Sequence, residues 1–250
     1  MMSHHSVSTS GSGTGRRFFF VFLISILRAA AAPWAHAAEL ELTYLVHEPA
    51  KTSAHAPLIV VLHGSGSDEN DMIGLWQQLP EDFIVVSPRA PFGGGASGYR
   101  WYRKGNSTGA DIRLSIAAIG RLVDTAIKRF GADPKRVFLA GFSQGAVLVY
   151  HAVLEDPGRF RGAAVLSGSL YGFDAHELST RKDWQTASLF IGHGTADARI
   201  PFATGKAAHT QLDRLGVPNE FHAYPGMQHE TQDREISDLA EWLTSRAAAP

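Results

Sequence analysis

The sequence predicts an α/β fold in which a mostly parallel central sheet is flanked by helices on both faces. Strand-like and helix-like segments alternate from Glu39 onward, the order expected of parallel strands joined by helical crossovers. Two of the strand-like runs, Pro57 to His63 (PLIVVLH) and Phe83 to Ser87 (FIVVS), are continuously apolar and rich in Val and Ile, which suits strands buried on both faces. A third observation is local: Gly141 to Gly145 (GFSQG) separates the strand-like RVFLA from the helix-like AVLVYHAVL, marking a sharp strand-to-helix turn.

The chain begins with a polar stretch, Met1 to Gly15, rich in Ser, Gly and His. Arg16 and Arg17 then precede the apolar run Phe18 to Leu27 and a small-residue stretch containing Ala35-His36-Ala37. Basic region, short apolar region and A-x-A site follow in the order of a secretory signal, and the run is too short to span a bilayer comfortably. The expectation is a signal peptide and disordered N-terminus over residues 1–38, a single domain over residues 39–250, and export to the periplasm or medium. Without a working signal the protein would stay cytoplasmic.

Within the domain, Leu40 to Val46 alternates apolar and polar residues, as a half-exposed edge strand does. Asp68 to Leu79 has an acidic start and apolar residues at Met72, Ile73, Trp76 and Leu79, predicting a helix with that face inward. Arg89 to Ala110 is Gly-rich and reads as a long functional loop. Asp111 opens a helix whose apolar positions Ile112, Ile116, Ile119, Val123 and Ile127 recur at helical spacing, ending near Gly131. Arg136 to Ala140, Gly162 to Leu166 and Ser188 to Gly192 predict further strands, and Ala146 to Leu154 a helix. Ser169 to Thr186 has no clear period and is expected to hold a short cap over the sheet. Phe202 to Leu215, Asn219 to Tyr224 and Ile236 to Arg246 close the domain as helix, strand and helix.

Composition narrows the function. Hydrophobic residues make up 44% and charged residues 19% of the 250, and the formal net charge is -1. That supplies a core and, with no long run of like charges, indicates neither a nucleic-acid groove nor a polybasic membrane patch. The chain has no cysteine, which removes disulfides, thiolate nucleophiles and cysteine-held metals. The expected partner is a small molecule, with no nucleic acid and no stable membrane partner after signal cleavage. Oligomeric state is left open by the sequence.

The chemistry starts at Ser143. A G-x-S-x-G turn between strand and helix keeps neighbouring Cβ atoms away and raises the serine hydroxyl at the top of the sheet. A hydroxyl needs a base to take its proton and an acid to orient that base. Asp197 follows strand SLFIG in the loop HGTAD, and His229 lies in the loop PGMQHE after strand EFHAY, so both stand at carboxyl ends of strands in the order Ser, Asp, His. Asp174 and Asp183 are weaker candidates for the acid because neither follows a strand; His222 lies within a strand, and His193 is expected to fix the acid's loop. Two N–H donors for an oxyanion are expected from the backbone of Gln144 and from Ser65 in the loop His63 to Ser67. His63 itself is expected to have a structural hydrogen-bonding role. The grouping of His63 with Asp68, Glu69 and Asp71 matches no metal-ligand spacing, so no metal is expected there. Phe92, Tyr99, Trp101, Phe142, Leu170 and Tyr171 are candidates for an apolar pocket, the alternative being that such loop residues belong to the core.

With these residues in place, the chain resembles the phospholipase/carboxylesterase family of α/β-hydrolases, which includes bacterial carboxylesterases and acyl-protein thioesterases. The motifs are LHGSGSDEND at Leu62 to Asp71, SPRAPFGGGASGYRWY at Ser87 to Tyr102, GFSQGA at Gly141 to Ala146, HGTAD at His193 to Asp197, and PGMQHE. The resemblance implies the α/β-hydrolase fold, a triad of Ser143, Asp197 and His229, an oxyanion hole from Ser65 and Gln144, and no cofactor. It departs from the family where Ala146 follows Gly145, since two glycines often follow the glutamine there. The implied activity is hydrolysis of carboxylic esters with short to medium acyl chains, lysophospholipids or thioesters through an acyl-enzyme. An exported feruloyl or polyester esterase is the alternative within the same chemistry. From another class, a binding protein that kept the fold and lost the chemistry would be told apart by failing to react with a fluorophosphonate.

Overall fold

In the computed structural model, the described residues are 40–50, 55–103, 105, 109–173 and 186–248, and they belong to one compact unit. The signal-like segment, Asp174, Asp183 and most of the expected cap lie outside them. The strands, in chain order, are β1 (Tyr44–His47), β2 (Ala56–Leu62), β3 (Ile84–Pro88), β4 (Phe92–Gly93), β5 (Tyr99–Arg100), β6 (Ala132–Phe142), β7 (Gly162–Leu166), β8 (Leu189–Gly194) and β9 (Asn219–Tyr224). The helices are α1 (Ala110–Phe130), α2 (Gln144–Glu155), α3 (Phe202–Arg214) and α4 (Asp233–Ala248).

Seven strands form the main sheet in the order β1-β3-β2-β6-β7-β8-β9. All its pairings are parallel except that of β1, which runs antiparallel to β3 with Tyr44 opposite Pro88. Alternation along the buried strands divides the core in two. Leu58, Val60 and Leu62 face α1, α2 and α3 through Ile116, Ile119, Leu148 and Leu212. Ile59 and Val61 face the other way, toward Met72, Leu75 and the α4 residues Leu239, Trp242 and Leu243. A strand with apolar side chains on both faces needs a helical layer on each side, and this arrangement supplies both. Helix α1 buries Ile112, Ile116, Ile119 and Val123 and ends where Gly131 takes a left-handed conformation, the usual helix stop.

Two segments differ from expectation. Asp68 to Leu79 forms turns followed by a 3-10 helix at Ile73–Gln78. Asp68 Oδ1 accepts the Asn70 backbone N–H at 2.9 Å, and Glu69 turns inward to pair with Arg89. Such side-chain bonds to local backbone compete with an α-helix start. Leu75 is then buried and Trp76 is exposed, its indole stacked on His47 at 4.1 Å. The expected long loop also builds structure of its own: β4 and β5 pair as a hairpin, Phe92 opposite Arg100 and Gly93 opposite Tyr99.

Helix α4 carries a group unsuited to its setting. Glu235, in the first turn, is fully buried against Gly192 of β8, and neither carboxyl oxygen has a hydrogen-bond partner among the described residues. Burial above all, and then the Asp238 carboxylate, push its pKa from 4.5 up to about 8. Below 4.5 both folded and unfolded chains hold the proton; between 4.5 and about 8 only the folded chain does, so stability falls as pH rises through that window. The slope is on the order of 1.4 kcal/mol per pH unit at most. Glu235→Gln should therefore gain stability over the parent protein as pH rises from 5 toward 8.5 in about that proportion, measured by denaturant unfolding. Parallel stability curves for the two proteins would show that Glu235 does not carry the slope.

Candidate active site

The turn between β6 and α2 holds Ser143 at φ 54°, ψ -111°, a left-handed backbone unusual for a residue with a side chain. The Ser143 N–H donates to Leu166 O of β7 at 2.9 Å, and Ser143 O begins α2 by accepting from Val147 N at 3.3 Å. Gly145 lies against the carbonyl oxygens of Leu62 and His63 at the end of β2, so closely that a Cβ there would overlap both. Absence of a side chain at 145 therefore lets α2 start directly beside β2 and sets the serine at the sheet's carboxyl edge.

His229 reaches that serine from the loop after β9. Its Nε2 lies 2.8 Å from Ser143 Oγ, and its Nδ1 lies 2.8 Å from Asp197 Oδ2. An ionised carboxylate only accepts, so Nδ1 is the donor to Asp197, which leaves Nε2 as the ring nitrogen facing the hydroxyl. Asp197 Oδ1 accepts the backbone N–H groups of Arg199 at 2.9 Å and Ile200 at 2.8 Å. Burial alone would raise the Asp197 pKa; the bonds from His229, Ile200 and Arg199 outweigh it and hold the carboxyl below its usual range. The loops carrying Asp197 and His229 are joined to each other: Thr195 N donates to Tyr224 O at 3.0 Å, Ala196 N to Met227 O at 3.0 Å, and Gly226 N to Thr195 Oγ1 at 2.9 Å. His193 Nε2 donates to Ile200 O at 2.8 Å, bracing the turn that holds Asp197.

The loop after β2 comes next to the serine as well. A Cβ on Gly64 would sit 3.5 Å from Ser143 Cβ and 3.0 Å from the Phe142 ring, and Ser65 follows it at the surface. Gln144 opens α2, where the first N–H groups lack intrahelical partners. His63 is held by structure: Ala90 N donates to its Nε2 at 3.1 Å, so its proton is on Nδ1, which donates to Gly64 O at 2.7 Å. Burial, partly opposed by that bond to Gly64, lowers its pKa and keeps it neutral. Asp68 and Glu69 are engaged by Asn70 and Arg89, and among the described residues no His, Asp and Glu group has a metal-binding arrangement.

The aromatic candidates separate. The Phe142 ring lies 4.9 Å from the His229 ring. Tyr171 is exposed and stacks on Tyr102 at 5.8 Å. With Leu170, and with Ala203, Ala207 and Gln211 of α3, it lines an open cavity of about 530 Å³. Phe92 and Tyr99 are half-buried in the hairpin, under the guanidinium groups of Arg103 at 4.9 Å and Arg89 at 4.8 Å. Trp101 corrects the expectation of a pocket residue: it has no exposed surface, and its indole N–H donates to His63 O at 2.9 Å. A contribution from the Gln144 side chain was not legible in the sequence; its Oε1 accepts from Trp101 N at 2.7 Å and its Nε2 donates to Tyr102 O at 2.8 Å. These partners lie more than 40 residues away, and no local spacing signals them.

A family model described as Phospholipase/Carboxylesterase matches residues 46–246. The carboxylesterase SOBER1 of Arabidopsis thaliana is 31% identical over 137 residues, which are 55% of this chain and 60% of that protein. The chain thus spans about half to three fifths of the length of the plant carboxylesterases it matches. Acyl-protein thioesterase 1 of Kluyveromyces lactis is 29% identical over 217 residues, covering 79% of this chain and 92% of that one. The crystal structure of Arabidopsis thaliana SOBER1 superposes with a TM-score of 0.65 at 27% identity, covering 76% of this chain and 98% of that one.

The packing at the turn can be tested apart from any activity. Gly145→Ala drives a methyl group into the Leu62 and His63 carbonyls and should destabilise the protein by about 1–3 kcal/mol, as overpacking does. Gly158→Ala, where nothing lies within 4 Å of the added Cβ, should change stability little. Equal unfolding midpoints for the two variants would contradict the close approach at Gly145.

Proposed function

Because the chain belongs to the phospholipase/carboxylesterase family, we propose that it is a serine hydrolase that cleaves carboxylic esters or thioesters through an acyl-enzyme. The observation that carries this reading is the unbroken series from Ser143 Oγ through the His229 ring to Asp197, with both contacts at 2.8 Å.

In the proposed mechanism Ser143 Oγ attacks the acyl carbon as His229 Nε2 takes its proton. The Asp197 carboxylate stabilises the imidazolium and holds its ring. The carbonyl oxygen becomes an oxyanion, which the backbone N–H groups of Gln144 and Ser65 stabilise. Collapse breaks the bond to the leaving oxygen or sulfur, and His229 returns the proton to it. Water then attacks the acyl-Ser143 ester by the same route in reverse, releasing the acid and restoring the serine. The substrate class is small esters or thioesters of short to medium acyl chain, with Phe142, whose ring lies 4.9 Å from that of His229, as a candidate contact.

Ser143→Ala should abolish labelling by a fluorophosphonate probe and lower kcat by at least about a thousandfold, because the covalent route disappears. Near-normal turnover of a p-nitrophenyl ester series by that variant would remove Ser143 from the chemistry. Asp197→Asn keeps an acceptor for Arg199 and Ile200 but lets the imidazole take the wrong tautomer, so kcat should fall by about 10³–10⁴ with the unfolding midpoint little changed. Should Asp197→Asn keep its rate, the acid would have to lie elsewhere.

A further inference from the structure

Trp101 uses every polar group it has, and each goes to a different part of the molecule. Its backbone N–H donates to Gln144 Oε1 at 2.7 Å, its indole N–H to His63 O at 2.9 Å, and its carbonyl accepts from Ser115 Oγ of α1 at 2.6 Å. The residue has no exposed surface. Gln144 closes the arrangement by donating from Nε2 to Tyr102 O at 2.8 Å. On the other side, the same strand segment is paired with the loop after β2: Gly66 N donates to Tyr99 O at 2.8 Å and Tyr99 N to Ser67 O at 2.9 Å. Gly98, at φ 59°, lies so close to the Gly66 backbone that a side chain there would have no room. Segment 98–102 therefore spans the gap between the loop bearing Ser65 and the helix start bearing Gln144.

The two backbone N–H groups assigned to the oxyanion come from elements that are distant in sequence. A hydrogen-bond pair aimed at a developing charge works only if its separation is held to a fraction of an ångström. We propose that Trp101 and the side-chain amide of Gln144 are positioning residues that hold the Ser65 and Gln144 N–H groups at the spacing a tetrahedral oxyanion requires. The substrate need touch neither group; they act through the two donors. The idea rests on the serine-hydrolase reading above, and Ser143→Ala tests that reading by itself.

Trp101→Phe keeps an aromatic ring but removes the indole donor together with part of the ring volume of a fully buried side chain. Gln144→Met keeps the backbone N–H and the side-chain length and removes both amide contacts. Each variant should lower kcat and kcat/KM together by about 10–100-fold, less than outright loss of a donor. KM should stay within about twofold. Affinity for a trifluoromethyl ketone, which forms a tetrahedral adduct with a serine, should fall in proportion to kcat/KM. Because both variants cut the same brace, the double variant should lose about as much as the worse single one rather than the product. Unfolding midpoints and fluorophosphonate labelling of Ser143 would be measured on the same samples. The proposal is overturned if folded variants keep kcat and ketone affinity while only the midpoint drops, which would make the contacts merely structural. It is equally overturned if KM rises with kcat intact, or if the two losses multiply. Should Trp101→Phe fail to fold, Gln144→Met alone decides by the same readouts. Labelling that persists in Ser143→Ala would instead fail the serine reading, leaving a distinct signature.

Discussion

The arrangement of the site depends on how closely the start of α2 meets the end of β2. At Gly145 the helix backbone rests on the last carbonyls of that strand, so two neighbouring parallel strands deliver their loops to the same place. One loop carries Gly64 and Ser65; the other carries Ser143. The strained backbone at Ser143 is sustained by this packing and by the hydrogen bond from its N–H to β7. A residue in that conformation persists only where its surroundings over-determine it. The contact therefore links a feature of the core, close packing of helix on sheet, to the direction of a single hydroxyl.

The remaining groups arrive along the same edge of the sheet from β8 and β9, and they are tied to one another before they are tied to the serine. Bonds from Thr195 and Ala196 to the loop after β9 make the loops carrying Asp197 and His229 one unit. The Asp197 carboxylate, fed by two backbone N–H groups and one imidazole, remains charged despite its burial. Charge that is fully satisfied in this way can orient a ring without needing solvent.

Much of this was legible in the sequence, for reasons that can be named. Strands β2, β3 and β7 are read easily because burial on both faces leaves continuous apolar runs, and α1 because its apolar residues keep one period over 21 residues. Ser143, Asp197 and His229 could be singled out because each follows a strand, where loops gather in a parallel sheet. What escaped depends on pairings between distant residues. The acidic segment at Asp68 has the pattern of a helix start, but in the fold its carboxylates engage Asn70 and Arg89. Trp101 looked like a pocket wall because an aromatic residue in a Gly-rich loop carries no mark of what lies over it. Its hydrogen bonds to residues 38 and 43 positions away exist only in the folded chain.

The distances in sequence have a consequence for how the molecule comes into being. Ser143 and His229 are 86 residues apart, and His229 and Asp197 are 32 apart. While the chain is being synthesised, the turn at Ser143 and its neighbouring strands can be complete before His229 has been made. Contacts of such separation are closed late and slowly, because loop entropy must be overcome before they contribute. A folding intermediate with a well-formed β2, β6 and α2 would thus hold Ser143 in its turn without the His229 contact. On the proposed serine mechanism, gain of reactivity at Ser143 would be a clock for the docking of β9 and the loop after it, a step that the compactness of the earlier elements would not report.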